Sequence, residues 1–234
     1  MAKIANHAAD RQLYTWGAVV ALAIVFAGFA KTYFLKSSFG APTLSTLVHA
    51  HGFVMTLWFT FFLVQVRLVA MQRTDLHRRA GMFGAFIAAA VLIVGTATAI
   101  TAAKLGHTPG PPPLIFLAIP LGDMLVFALL VGTGLYFRRR SDIHKRLMLL
   151  SCVGILTAAV SRIPLDFIQA GGLPMFFGLT DLIVLSCAAY DTLKQHRLHP
   201  AFGWGALLIL ASHPLRFLLA GSSVWQQFAG WVVR

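Results

Sequence analysis

Apolar residues fill this chain in long, nearly unbroken stretches. They show neither the spaced stripe of a surface helix nor the alternation of a half-buried strand. A helix that crosses a bilayer needs about 20 consecutive, mostly apolar residues. Seven stretches meet or approach that length, over about 12–35, 43–71, 79–103, 114–137, 144–163, 173–193 and 201–219. Their connections are short, and three carry Gly and Pro: Gly40-Ala41-Pro42, the run 106–113, and Gly171-Gly172-Leu173-Pro174. The pattern predicts an all-α bundle of seven transmembrane helices forming one domain over 1–234. The first stretch follows Lys3 and Arg11 as a signal peptide would. It runs on through Tyr33 and Phe34 without a cleavage site, and so reads as a retained helix. Beyond the seventh stretch, Trp225, Phe228, Trp231 and Val232 recur at helical spacing opposite Gln226 and Gln227. That predicts a short amphipathic helix over about 223–233, lying in the outer interface.

Composition reinforces this picture. Of 234 residues 58% are hydrophobic and only 11% charged, against about 25% charged in a soluble domain. The mean hydropathy is +0.78. The net charge is +12, and the acidic residues are seven Asp with no Glu. The cations fall in short runs between apolar stretches, which excludes a nucleic-acid-binding face. With the N-terminus in the cytoplasm, thirteen Lys and Arg fall on the inner side and six on the outer, the asymmetry expected of an inner N-terminus. Cys152 and Cys187 lie inside apolar stretches and read as small buried hydrophobes.

An internal repeat is also visible. Arg73-Thr74-Asp75-Leu76-His77-Arg78-Arg79 recurs as Arg140-Ser141-Asp142-Ile143-His144-Lys145-Arg146, offset by 67 residues. A fainter copy lies at Leu198-His199, and Gly122-Asp123-Met124-Leu125-Val126 is echoed by Thr180-Asp181-Leu182-Ile183-Val184. The reading is one leading helix followed by three related helical hairpins. Within the repeat, Thr74/Asp75 and Ser141/Asp142 are expected to cap the next helix, and the basic residues to fix topology. Recognition of anionic lipid or of a partner is the alternative for those cations.

Ionisable residues inside spanning helices are costly and mark sites. Here they are His49 and His51 on the second helix, Asp123 on the fourth, Arg162 on the fifth, Asp181 on the sixth, and His213 and Arg216 on the seventh. Alternating helix directions put all of them in the outer third to half of the bilayer. A convergent polar site on the outer side follows. His49 and His51, two positions apart, point about 200° apart around a helix. One is expected to face the site and the other a neighbouring helix or the interface.

The stretch Ala50-His51-Gly52-Phe53-Val54-Met55 resembles the His-Gly-x-x-Met helix of haem-copper oxidase subunit I, in which the histidine ligates a haem. The resemblance covers about ten residues and implies His51 as a haem ligand. The chain has no His-His pair, no His-Pro-Glu motif and no Glu, so no copper–haem oxygen site is implied. As a whole the chain resembles a family of small bacterial multipass membrane proteins with a His-x-His-Gly helix and Asp-Leu-His-Arg-Arg loops. That implies a topology and a bacterial cytoplasmic membrane, and no activity. Ser45-x-x-x-His49 is similar to a helix motif of the alkaline ceramidase and progestin-receptor superfamily, whose second motif is missing here.

The leading expectation is a haem b protein for electron transfer. His51 and His213 would be axial ligands, Arg162 and Arg216 would pair with the propionates, and a membrane redox partner or quinone would exchange electrons. A transition-metal ion held by His49, His51, Asp123 and Asp181, for redox work or intramembrane hydrolysis, is a second expectation. A proton-coupled transporter is a third. A subunit or assembly factor without cofactor, its polar residues only tying helices together, is the fourth.

Overall fold

The structure is a computed structural model that describes the backbone of residues 2–40 and 42–234, with side chains from residue 12 onward. Lys3 and Arg11, used above for orientation, have side chains outside the described ones. Helix α1 spans Ala2–Phe29 and tightens through a π turn and a 3-10 turn to Gly40. Gly40 ends that segment in the left-handed conformation, φ 62°, which glycine adopts without strain. There follow α2 (Thr46–Ala70), α3 (Thr74–Lys104), α4 (Pro113–Tyr136), α5 (Ser141–Val153) and α6 (Thr157–Val160). The remaining helices are α7 (Asp166–Gln195), α8 (Pro200–Ala220) and α9 (Ser223–Val232). Among the described residues there is no strand. Seven spans are long and apolar enough to cross a membrane, with α5 and α6 together forming the fifth. The chain is a multipass helical membrane protein.

Local chemistry sets the ends. Ser45 is the N-cap of α2, its hydroxyl accepting from Val48 N at 3.3 Å, and Ser222 caps α9 in the same way at 3.2 Å. Pro113 and Pro200 open α4 and α8 at positions where no amide hydrogen is needed. The repeat does not cap as its sequence suggests. Thr74/Asp75 and Ser141/Asp142 lie inside the first turns of α3 and α5, while the N-cap residues are Arg73 and Arg140, which make no side-chain cap bond. The carboxylates of Asp75 and Asp142 still sit favourably against the positive helix ends. The Gly171-Gly172 linker is drawn into α7 as a kink: Gly172 has φ 56° and ψ −150°, a conformation essentially closed to other residues.

Six spans form a ring and the fifth fills it. Neighbours pack in the order α1, α2, α3, α4, α8, α7 and back to α1, and α5 packs against α1, α4, α7 and α8. The fifth span is 72% buried, against 22–39% for the others, which decides its central place. Leu149, Leu150, Cys152, Val153 and Leu156 on it are fully enclosed. Small residues let the neighbours close in, as they do in membrane bundles. A Cβ on Gly28 of α1 would collide with the backbone carbonyl of Ala159 in α6.

Helix α9 departs from a purely interfacial helix. Trp231 is exposed, but Trp225 is buried and its indole N–H donates to Leu114 O at 2.7 Å. The tail is thereby docked on α4, with Ala229 enclosed against the bundle.

Candidate polar site between α4, α7 and α8

Two carboxylates on echoed segments of α4 and α7 both reach α8. Asp123 is buried and accepts from Arg216 NH1 at 2.6 Å. The same guanidinium donates to Ile119 O at 3.3 Å and, through NH2, to Ser212 Oγ at 3.0 Å, while its Nε has no partner. Gly122 makes this possible, since a Cβ there would run into the Arg216 side chain. Arg216 is thus neutralised inside the protein.

One turn away on α8, His213 is buried, with its Nδ1 2.9 Å from Asp181 Oδ1. The approach is close but off line for a full hydrogen bond. Asp181 keeps 25% of its side chain exposed against 4% for His213, so the carboxylate is the more accessible partner. Phe177 packs against the imidazole with ring centres 4.3 Å apart and planes tilted by 34°, and its ring centre lies 5.8 Å from the Arg216 guanidinium carbon. His213 Nε2 is buried and has no partner. A histidine with one nitrogen on a carboxylate and the other free is the arrangement metal-bound histidines adopt.

The second-helix histidines diverge as helical geometry requires. His49 is exposed beside Tyr33, whose hydroxyl donates to the His49 carbonyl at 3.1 Å. His51 shares the inward face with buried Trp58, and its Nδ1 is buried without a partner. Arg162 stands just beyond the end of the fifth span. It donates to Ala158 O at 2.7 Å and lies 5.0 Å from the Phe29 ring centre, with no carboxylate on it among the described residues.

The candidates therefore fall into two groups. Asp123, Asp181, His213 and Arg216 are brought together on α4, α7 and α8. His51 on α2 and Arg162 just beyond α6, both elements packed against α1, make no hydrogen bond or ion pair with those four. Among the described residues no group of three or more His, Cys, Asp or Glu converges, so His49, His51, Asp123 and Asp181 are not gathered around one point. Ser45, the helix cap, directs its hydroxyl at backbone.

The residue the polar pattern missed is Asp191. It accepts from Arg146 Nε at 2.9 Å and NH2 at 2.8 Å, with both side chains 3% exposed or less. Arg146 reads as one more topology-setting cation until this fork is seen. The available signal was Asp191 itself, an acid inside the apolar run of α7 ten residues after Asp181. The chain matches no family model, no curated protein and no solved structure.

Proposed function

We propose that this is a bacterial cytoplasmic-membrane protein that holds haem b in the outer half of the bilayer and passes electrons between membrane partners, a quinone among them. The observation that carries this reading is His213: a buried imidazole with Nδ1 at a carboxylate and a buried, unpartnered Nε2. His51, whose buried Nδ1 also lacks a partner, would be the second ligand, drawn from the separate polar group on α2. Arg162, free of any described carboxylate, is the propionate partner. Arg216 is left out of that role because Asp123 already neutralises it. A haem needs few ligands from the protein, whereas a bare metal ion needs three or four convergent donors. No such group of donors converges among the described residues.

Bound haem supplies the one-electron chemistry. Asp181, whose Oδ1 lies 2.9 Å from His213 Nδ1, would favour a donor Nε2, Phe177 packs against the ring, and the enclosed Arg216–Asp123 pair keeps the neighbourhood electrically balanced. The Lys/Arg asymmetry supports a cytoplasmic basic end, which puts these histidines toward the outer face. The duplicated Asp-Leu/Ile-His motif supports a leading helix followed by three related hairpins. Protein expressed with haem supplied should show a Soret band that shifts or disappears in His213→Gln and His51→Gln variants whose helical circular dichroism is unchanged. Absence of the band, or a band indifferent to both changes, overturns the reading.

A further inference from the structure

The repeated loops at the basic end lie side by side. The rings of His77 and His144, equivalent residues of the two copies, are 6.3 Å apart between centres. Six arginines flank that contact, Arg73, Arg78 and Arg79 from one loop and Arg138, Arg139 and Arg140 from the other, and all are exposed. The chain has little with which to neutralise them. It has no Glu. Asp123 and Asp191 are committed to buried arginines, Asp181 faces His213, and Asp142 faces His199. Asp75 reaches Arg73 at 3.7 Å. Arg138 donates to Leu135 O at 3.3 Å. The side chains of Arg78, Arg79 and Arg139 form no hydrogen bond or ion pair with any described residue.

Exposed like charges on two adjacent loops attract an external anion, and their place selects it. The cluster sits at the end of the spans, at the level of lipid headgroups. Directly beyond it, Met82, Phe83 and Phe86 on α3 and Tyr136 on α4 are 69–79% exposed, an apolar flank suited to acyl chains. Guanidinium forks match phosphate oxygens in pairs. The duplication offers two such groups at one separation. We propose that the paired loops bind one anionic phospholipid carrying two phosphates, with one phosphate on each loop.

The full-length protein, stripped of lipid in a neutral detergent, can be titrated with diphosphatidylglycerol, phosphatidylglycerol and phosphatidylcholine, with bound lipid read by native mass spectrometry. One diphosphatidylglycerol should bind saturably and more tightly than phosphatidylglycerol, and phosphatidylcholine should not compete. Removing three cations by Arg78→Gln, Arg79→Gln and Arg139→Gln should weaken it by on the order of a hundredfold. Lys194→Gln with Arg197→Gln, which removes charge outside the paired loops, should leave it unchanged. Equal affinity for the two anionic lipids, or equal loss in both sets of variants, overturns the proposal in favour of diffuse attraction. All the altered side chains are exposed, and helical circular dichroism establishes that each variant is folded.

Discussion

Asp191→Ala is the substitution whose cost the structure defines best. It removes both oxygens that Arg146 Nε and NH2 grip at 2.9 and 2.8 Å, and leaves the cation with Asp142 O at 2.7 Å as its remaining acceptor. Both side chains are nearly inaccessible, so water cannot replace the lost carboxylate. Breaking a buried pair from one side costs about 3–5 kcal/mol. In a chain of this length each kcal/mol moves the melting temperature by about 2–4 °C, so a fall on the order of 6–20 °C is expected. Asp191→Asn keeps one acceptor oxygen and should lose less, about 1–3 kcal/mol. The double change Arg146→Met with Asp191→Leu removes both charges at similar volume and should return to within about 2 kcal/mol of the parent. It also gives up the contact of the guanidinium with the Phe202 ring at 5.8 Å, worth about 0.5–2 kcal/mol. Cys152 and Cys187 are free and buried, so a thiol-reactive fluorophore reports unfolding in detergent without an added label. Asp191→Ala melting within about 2 °C of the parent, or a double variant as damaged as the single one, would refute the reasoning.

Two other outcomes follow from packing and protonation. His199 caps α8, its Nδ1 accepting from Ala201 N at 3.2 Å while Nε2 faces Asp142 Oδ2 at 3.4 Å, an arrangement only neutral imidazole can hold. Burial and the nearby Arg146 lower its pKa, outweighing the opposite pull of Asp142. The contribution is therefore complete above the unfolded value of about 6.5 and is lost as pH falls from there through the lower folded value. Melting temperature should drop by about 2–4 °C across that window, a cap being worth about 1 kcal/mol, and His199→Asn should flatten this acid limb in a pH series. Gly28→Ala should cost about 1–3 kcal/mol by forcing α1 away from the Ala159 carbonyl, whereas Gly132→Ala, which meets nothing within 4 Å, should not lower the melting temperature.

Much of the architecture was legible because a bilayer imposes a simple length rule on apolar runs. All seven spans stand within a few residues of their hydropathy limits, except where backbone chemistry moved them. Ser141 begins α5 before the apolar run does, because helix continues into headgroup depth, and α7 absorbs the Gly171-Gly172 linker because Gly172 tolerates φ 56°. The site was legible as a list of costly residues and not as a set of contacts. Nothing in a one-dimensional pattern says that Arg216 turns to Asp123 while His213 turns to Asp181, since that choice depends on the rotation of α8 about its axis. The capping role read into Thr74 and Ser141 failed for a related reason. Cap chemistry is a matter of one residue of register, and the helices begin one position earlier than a hydroxyl cap requires. Asp191 escaped notice because its partner Arg146 is embedded in a motif that topology alone explains.

The central position of the fifth span constrains how the chain is made. Helices enter the membrane in order of synthesis, so α1 to α4 arrive before the element around which they close. At that stage the nascent protein is an open crescent whose concave side, including Gly17 where Leu149 will rest, faces lipid. Arrival of α5 and α6 fills the hollow, and α8, with Gly205 seated over Leu150, shuts it. Maturation of this bundle is therefore gated by a single late passenger, and a chain arrested after α4 has entered the membrane but before the fifth span follows leaves a half-built wall exposed to membrane proteases.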